Sequence, residues 1–468
     1  MPNDLSRDRR MARTRAMLEA PVAPTLGRMA APNVIGMVAT TFISVAEGIW
    51  ASRLGIDALA AVALVFPFVM LTQTLAGGAF GGSTSAAVAR ALGAGDEDRA
   101  GRVAFHALLI ALGMGALMAA VFIPFGAPIF ALLGGEGNVL QLALAWGAVY
   151  FPGAALVWLS QISASLMRGT GNMLLPSLSL LGISALAPLF SGAFALGWGP
   201  FPSLGVPGLA LGFLCSHAIV SAVLLVYFAR GGLGFAIFAD LRPALKFATP
   251  ILKVASIAAL SPVQTILTTL VVTGFVARYG AEALAGYGLG ARLEFLMIPV
   301  SFGFGAAATA MVGTNIGAGQ VARARAVAWT AALMAGACTG LIGLTVAIAP
   351  DLWLGMFLGP EPSAVRDAAT GYLTHVAPFY AFMGFGLALY FASQGAGKVL
   401  LPVLAVTGRL AIATAGCALA VRAGLPLEWL FWAIAAAMVG YGIFAALAVK
   451  LARWQPDRVP DAPVKAAA

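Results

Sequence analysis

The chain has 468 residues, 61% of them hydrophobic and 10% charged, with a formal net charge of +9. So few charges could not cover that much apolar surface in water, which excludes a soluble globular protein and leaves lipid as the solvent for most of the chain. The positive balance does not point to nucleic acid, because the basic residues sit at the termini and mainly in alternate loops, and no folded basic domain exists to track a phosphate backbone.

In chain order, residues 1–24 form a polar N-terminal segment holding Arg7, Arg9, Arg10, Arg13 and Arg15. It is too polar, and too far from the first apolar run, to be a cleavable signal peptide. A span needs roughly 20 apolar residues to cross about 30 Å of hydrocarbon. Runs of that kind are predicted near 25–51, 58–88, 101–131, 139–166, 173–197 and 206–229, which make a first lobe over 25–230. A linker of mixed polarity, 231–247, leads to runs near 248–277, 283–314, 322–349, 367–393, 399–421 and 426–449, a second lobe over 248–453, and then a tail, 454–468. In lipid the backbone must bond to itself, so spans are helices or a closed barrel. Runs such as 103–122 and 425–447 lack the in/out alternation of barrel strands, so the expected fold is all-α with twelve transmembrane helices. Several runs exceed the length of a span, so tilt or extension beyond the lipid is expected.

The chain repeats itself. Arg53-Leu-Gly-Ile-Asp-Ala-Leu-Ala60 returns as Arg278-Tyr-Gly-Ala-Glu-Ala-Leu-Ala285, Gly93-Ala-Gly95 returns as Gly317-Ala-Gly319, and Gly169-Thr-Gly-Asn-Met-Leu-Leu-Pro176 returns as Gly395-Ala-Gly-Lys-Val-Leu-Leu-Pro402. Their order is kept and their offsets, 225, 224 and 226, are nearly constant, the mark of an internal duplication. Six spans per half is an even number, so the halves are parallel repeats about an axis along the membrane normal, as in alternating-access transporters. Of the 27 Lys and Arg residues, 21 fall at the termini and even-numbered loops, which predicts cytoplasmic termini.

Most motifs have structural readings. The Gly-Ala-Gly loops turn sharply between helices, with Arg99, Arg102, Arg323 and Arg325 expected at lipid headgroups. Gly397-Lys398 is followed by valine and is no Walker loop, while Gly286-Tyr-Gly-Leu-Gly-Ala291 lies in a span with no preceding strand and reads as small residues for helix packing. The run Gly77–Ala86 and its counterpart Gly303–Thr309 serve close packing, a substrate cavity, or both. Pro32, Pro67, Pro262 and Pro299 invite bends. Cys215, Cys338 and Cys417 lie inside spans, with no disulfide or zinc pattern. His106, His217 and His375 are each lone and read as packed, neutral side chains, and no catalytic constellation or metal-ligand spacing is present.

The acids carry the functional signal. Only Glu47 and Glu294 lie inside apolar runs, and a carboxylate there costs at least about 3 kcal/mol, so it usually faces a cavity and does work. Glu294 follows Glu282 by 12 residues, about 18 Å of helix, which places it near mid-membrane. Both are candidate ion-coupling residues. The alternatives are snorkelling of Glu47 toward Arg53 and a structural hydrogen bond or ion pair at Glu294. Ser44 and Thr40 lie one and two turns below Glu47 and can share its face. Gln73, Gln161, Gln264 and Arg292 are the candidate cleft-lining groups.

As a set, Ala46-Glu-Gly-Ile-Trp50 before Arg53-Leu-Gly55, Met311-Val-Gly-Thr-Asn-Ile-Gly-Ala-Gly319, Arg168-Gly-Thr-Gly-Asn172 and Gln394-Gly-Ala-Gly-Lys398 resemble the multidrug and toxic compound extrusion (MATE) family of bacterial type. The resemblance implies two six-helix lobes in a V, exporting cationic or amphiphilic drugs or metabolites against inward H+ or Na+. Glu47 stands where the family often has a first-helix aspartate. The fifth-helix Asn and Asp that support it in one branch are replaced by Ile183 and Ala187, and the acids of helices seven and ten in another branch by Thr265 and Gly384. Glu294, with Arg292, is similar to the membrane acid of a bacterial subset. With no sodium cage, a lone carboxyl points to H+ rather than Na+. A lipid-linked precursor flippase of the same superfamily is the alternative, and a membrane-embedded enzyme the reading from a different class. No cofactor beyond the coupling ion is expected. The expected partners are a small-molecule substrate and membrane lipids, with no nucleic acid. A monomer in the bacterial cytoplasmic (inner) membrane is expected.

Overall fold

A computed structural model describes residues 4–359, 361 and 363–455. A short helix, α1 (Asp4–Glu19), precedes twelve helices, each long and apolar enough to cross a membrane. The first six are α2 (Val22–Leu54), α3 (Ile56–Gly93), α4 (Glu97–Leu132), α5 (Gly137–Gly169), α6 (Leu174–Leu196) and α7 (Val206–Ala229). The other six are α8 (Leu245–Tyr279), α9 (Ala281–Gly317), α10 (Val321–Ile348), α11 (Ala364–Gly395), α12 (Leu400–Arg422) and α13 (Glu428–Leu451). Long helices extend well past the lipid: the 37 residues of α9 reach about 55 Å.

The duplication is visible in the backbone. Gly55 and Gly280, between the first two helices of each half, have φ of 119° and 104°. The pairs Gly95/Gly319 and Gly171/Gly397 have φ of 76°/77° and 75°/69°. Only glycine takes these values without a Cβ clash, which is why these motifs survive in both halves. Packing repeats too. In the first half α4 lies on α5, α6 on α7, α3 on α5 and α2 on α6; in the second, α10 lies on α11, α12 on α13, α9 on α11 and α8 on α12.

The halves meet along a seam where α2 and α3 pack on α9, and the first half of α8 packs on α3 and α4. Small residues make it tight. A Cβ on Gly93 would come 2.0 Å from the Thr314 carbonyl oxygen, and one on Gly303 would come 2.3 Å from Val34 Cγ2. These contacts lie toward one face, which also carries α1, the Gly95 and Gly319 turns and the end of α13; we call it the terminal face.

Two irregular helices follow from their sequences. In α3 the Leu75-Ala-Gly-Gly-Ala-Phe80 stretch widens into a π turn, where paired glycines offer little resistance. In α8 the helix breaks at Ala259. Pro262 has no N–H to give to the Ala258 carbonyl, which accepts instead from the Tyr390 hydroxyl at 3.2 Å.

The structure alters two expectations. Residues 4–19, read as a plain polar segment, are helical and bury Met17 and Arg10. Three of the loop arginines assigned to headgroups are tied into the protein instead. Arg102 pairs with Asp240 at 2.5 Å, Arg323 donates to the Ala20 carbonyl, and Arg325 donates to the Ala452 carbonyl at 2.8 Å. Internal partners offset the cost of ordering these long side chains better than mobile lipid does.

Candidate functional site

The two membrane acids lie in different surroundings. Glu47, in the C-terminal third of α2 away from the terminal face, is half-buried and makes no hydrogen bond or ion pair among the described residues. It lies within electrostatic range of the buried Tyr150 of α5. Arg53 stacks 5.1 Å from the Trp50 ring, and Thr40 donates to the Met37 carbonyl at 2.6 Å, so neither neutralises nor donates to the Glu47 carboxyl. On α6, Ile183 and Ala187 are buried apolar contacts that offer no side-chain oxygen.

Glu294, in α9, is neutralised. Arg409 of α12 pairs with its Oε1 at 2.6 Å, and the Tyr372 hydroxyl of α11 donates to its Oε2 at 2.7 Å. With side chains 17% and 11% exposed, the acid and the guanidinium form a largely desolvated pair inside the second bundle. Arg292, the sequence-level companion, is exposed, with its guanidinium 5.9 Å from the Phe357 ring. Thr265 bonds its own helix, donating to Ser261, and a Cβ on Gly384 would come 2.3 Å from Thr339 Oγ1, so no larger side chain fits there.

The three glutamines fall in two places, two by the π turn of the first bundle and one in the second bundle. Gln161 stands over the π turn, its Nε2 3.3 Å from where a Gly77 Cβ would be. Gln73 lies half-buried just before that turn. Gln264 donates to Thr407 at 2.7 Å within the second bundle. The histidines are packed as expected. His106, for example, accepts from the Ala244 N–H at 2.8 Å and lies 2.7 Å from the Arg102 carbonyl, which leaves Nδ1 to donate.

A polar element at the seam escaped the sequence reading. Gln394 of α11, fully buried, crosses to the π turn and donates to the carbonyls of Gly78 and Ala79 at 3.2 and 3.3 Å. It is a second donor to each: the Gly78 carbonyl also accepts from the Gly81 N–H and the Ala79 carbonyl from the Ser83 hydroxyl. In the first repeat Gln394 corresponds to Arg168, also buried at the seam, beside Phe302 of the other half. The signal was available: both polar residues immediately precede the repeated Gly-X-Gly turn.

Two six-helix bundles thus meet along one seam, the first holding a carboxyl with no partner among the described residues and the second one neutralised by Arg409. The MatE family model matches residues 32–190 and 258–419, once per repeat, and this chain belongs to that family. It is 28% identical over 66% of its length to 68% of the FAD transporter of Shewanella oneidensis. It is also 28% identical over 81% of its length to 83% of the probable multidrug resistance protein NorM of Deinococcus radiodurans. Its fold is that of a solved outward-facing multidrug resistance MATE family transporter of the MOP superfamily, with TM-score 0.82, 23% identity, and coverage of 93% of this chain and 96% of that one. The protein is therefore a multi-pass membrane protein and a secondary transporter of small molecules, not an enzyme.

Proposed function

We propose that the chain exports cationic or amphiphilic compounds across a bacterial cytoplasmic membrane in exchange for H+, with Glu47 as the coupling carboxyl and both termini cytoplasmic. The observation that carries this reading is the contrast between the two acids: Glu294 is neutralised by Arg409, while Glu47 meets no partner among the described residues. A carboxyl without a counter-ion changes its proton occupancy with its hydration, which alternating access changes in every cycle. Sodium prefers several oxygens, and Ile183 and Ala187 supply none. The name of the Deinococcus relative, a probable multidrug resistance protein, supports drugs as substrates, and that of the Shewanella relative, an FAD transporter, supports phosphate-bearing amphiphiles beside them. Orientation is supported by the basic asymmetry of the loops.

The experiment is ethidium efflux from proteoliposomes under an imposed pH gradient. Wild-type protein should move the dye, and Glu47→Gln, a mimic of the protonated state, should fold but fail to couple. Wild-type rates in Glu47→Gln, or strict dependence on Na+ at constant pH, would overturn the assignment.

A further inference from the structure

Arg168 ends α5 at the seam and is only 3% exposed. Its Nη1 lies 3.3 Å from Ser165 Oγ, its guanidinium is 5.4 Å from the Phe302 ring of the opposite half, and its Nε has no acceptor. No carboxylate pairs with it among the described residues. It lines a cavity of about 10 Å³ between the halves, together with Ser85, Ser165, Phe302 and Phe391. Ser85 is likewise buried with a hydroxyl that has no partner. The Phe302 and Phe391 rings stand edge to face, 5.2 Å apart.

A guanidinium taken out of water is costly unless paired, and at Glu294 this same protein supplies a carboxylate for the purpose. At Arg168 it supplies one hydroxyl, that of Ser165, which itself donates to the Gln161 carbonyl at 2.8 Å, and one ring, that of Phe302. Guanidinium presents a fork that matches the two oxygens of a phosphate or carboxylate, and aromatic rings take flat apolar groups. In this state the cavity holds no more than about one water. Parting the halves at the terminal face would widen it into the floor of a cleft.

We propose that Arg168, with Ser85 and Ser165, binds the phosphate or carboxylate group of a flat amphiphilic substrate when the halves part at the terminal face, while Phe302 and Phe391 take its ring system. The proposal deepens the transport reading above and rests on it. A lipid phosphate carries the same anionic chemistry.

The test uses riboflavin 5′-phosphate and riboflavin, one ring system with and without a phosphate, bound to purified full-length protein and followed by flavin fluorescence. Wild type should prefer the phosphate form. Arg168→Gln should weaken that form roughly tenfold to a hundredfold, the worth of a charge-assisted contact, and bring the two affinities together. Arg168→Lys, which keeps the charge but loses the fork, should fall between, and it carries the test if the Gln variant does not fold. Equal wild-type affinity for the two flavins, or selectivity unchanged in both variants, would overturn the proposal. A separate arm follows flipping of a short-chain fluorescent phosphatidic acid in proteoliposomes. Loss of that flipping in the variants, without loss of flavin selectivity, would assign the site to lipid and overturn the soluble-substrate form. Wild-type ethidium efflux is measured alongside. Its absence sinks the transport reading and this proposal with it, whereas its presence without flavin selectivity sinks this proposal alone.

Discussion

Gly93 and Gly317 occupy equivalent positions in the two repeats, and each closes on the carbonyl three residues before the other. A Cβ on Gly93 would come 2.0 Å from Thr314 O, and a Cβ on Gly317 would come 2.0 Å from Arg90 O. Such reciprocity is what two-fold related helices produce, and it places backbone against backbone where the halves meet.

Alanine at either glycine should therefore prop the seam open. Overpacking of this kind costs about 1–3 kcal/mol, enough to raise the open population roughly tenfold. The measurement is maleimide labelling of a cysteine at Ala86, buried in the same seam, with Cys215, Cys338 and Cys417 replaced. Faster labelling in Gly93→Ala and Gly317→Ala is expected, and rates equal to the parent would mean that this contact does not hold the face closed.

Glu294 and Arg409 should behave as one unit. Removing a single partner from a buried pair typically costs about 3–5 kcal/mol because the other charge is left behind. Arg409→Leu should lower the Tm by several degrees, and Glu294→Gln in the same chain should recover most of the loss. A double variant as unstable as Arg409→Leu alone would show that the two residues are not energetically coupled.

Twelve spans and two repeats were readable because hydropathy and glycine turns are local properties. The partner of Glu294 was not. Arg292 is near in sequence, but residues two apart on a helix point to different faces, and it ends beside Phe357. The true partner is 115 residues away on another helix, and charge positions along the chain cannot reveal which helices face each other. Arg168 sits at a span edge, where the sequence alone reads as loop; packing shows that α3 and the opposite half cover it. The π turn has a signal in Gly77-Gly78, but the donor that completes it, Gln394, comes from 316 residues further on.

Acid should loosen the linker between the halves. The Arg242 backbone N–H, with help from the Arg102 and Arg242 charges, holds the Asp240 carboxyl below its ordinary value of 3.8. A depressed carboxyl contributes stability above its unfolded value and loses it as pH falls through the folded one. Hydrogen exchange of residues 230–244 should be protected evenly down to about pH 4 and then rise, and Asp240→Asn should abolish that step. An identical step in Asp240→Asn would assign it to another group.

The α1 helix should act as a strap across the terminal face, since it touches both halves. Arg10 pairs with Glu97 of the first half at 2.5 Å, and Asn315 of the second half donates to the Met17 carbonyl at 3.1 Å. The Met17 side chain is 2% exposed. Its Cε lies 2.8 Å from where a Gly171 Cβ would be, and its sulfur is 3.8 Å from Thr314 Oγ1, so it plugs the join between the halves. The halves cannot part at this face unless α1 releases one of them. Met17→Leu keeps the volume and should leave Ala86 cysteine labelling unchanged. Met17→Asp puts a charge in an apolar slot at the edge of the core that α9, α10 and α11 share, and should release the strap and raise labelling, with unchanged far-UV circular dichroism checking that the bundles stay folded. Equal labelling in the two variants would show that α1 lies on the face without restraining it.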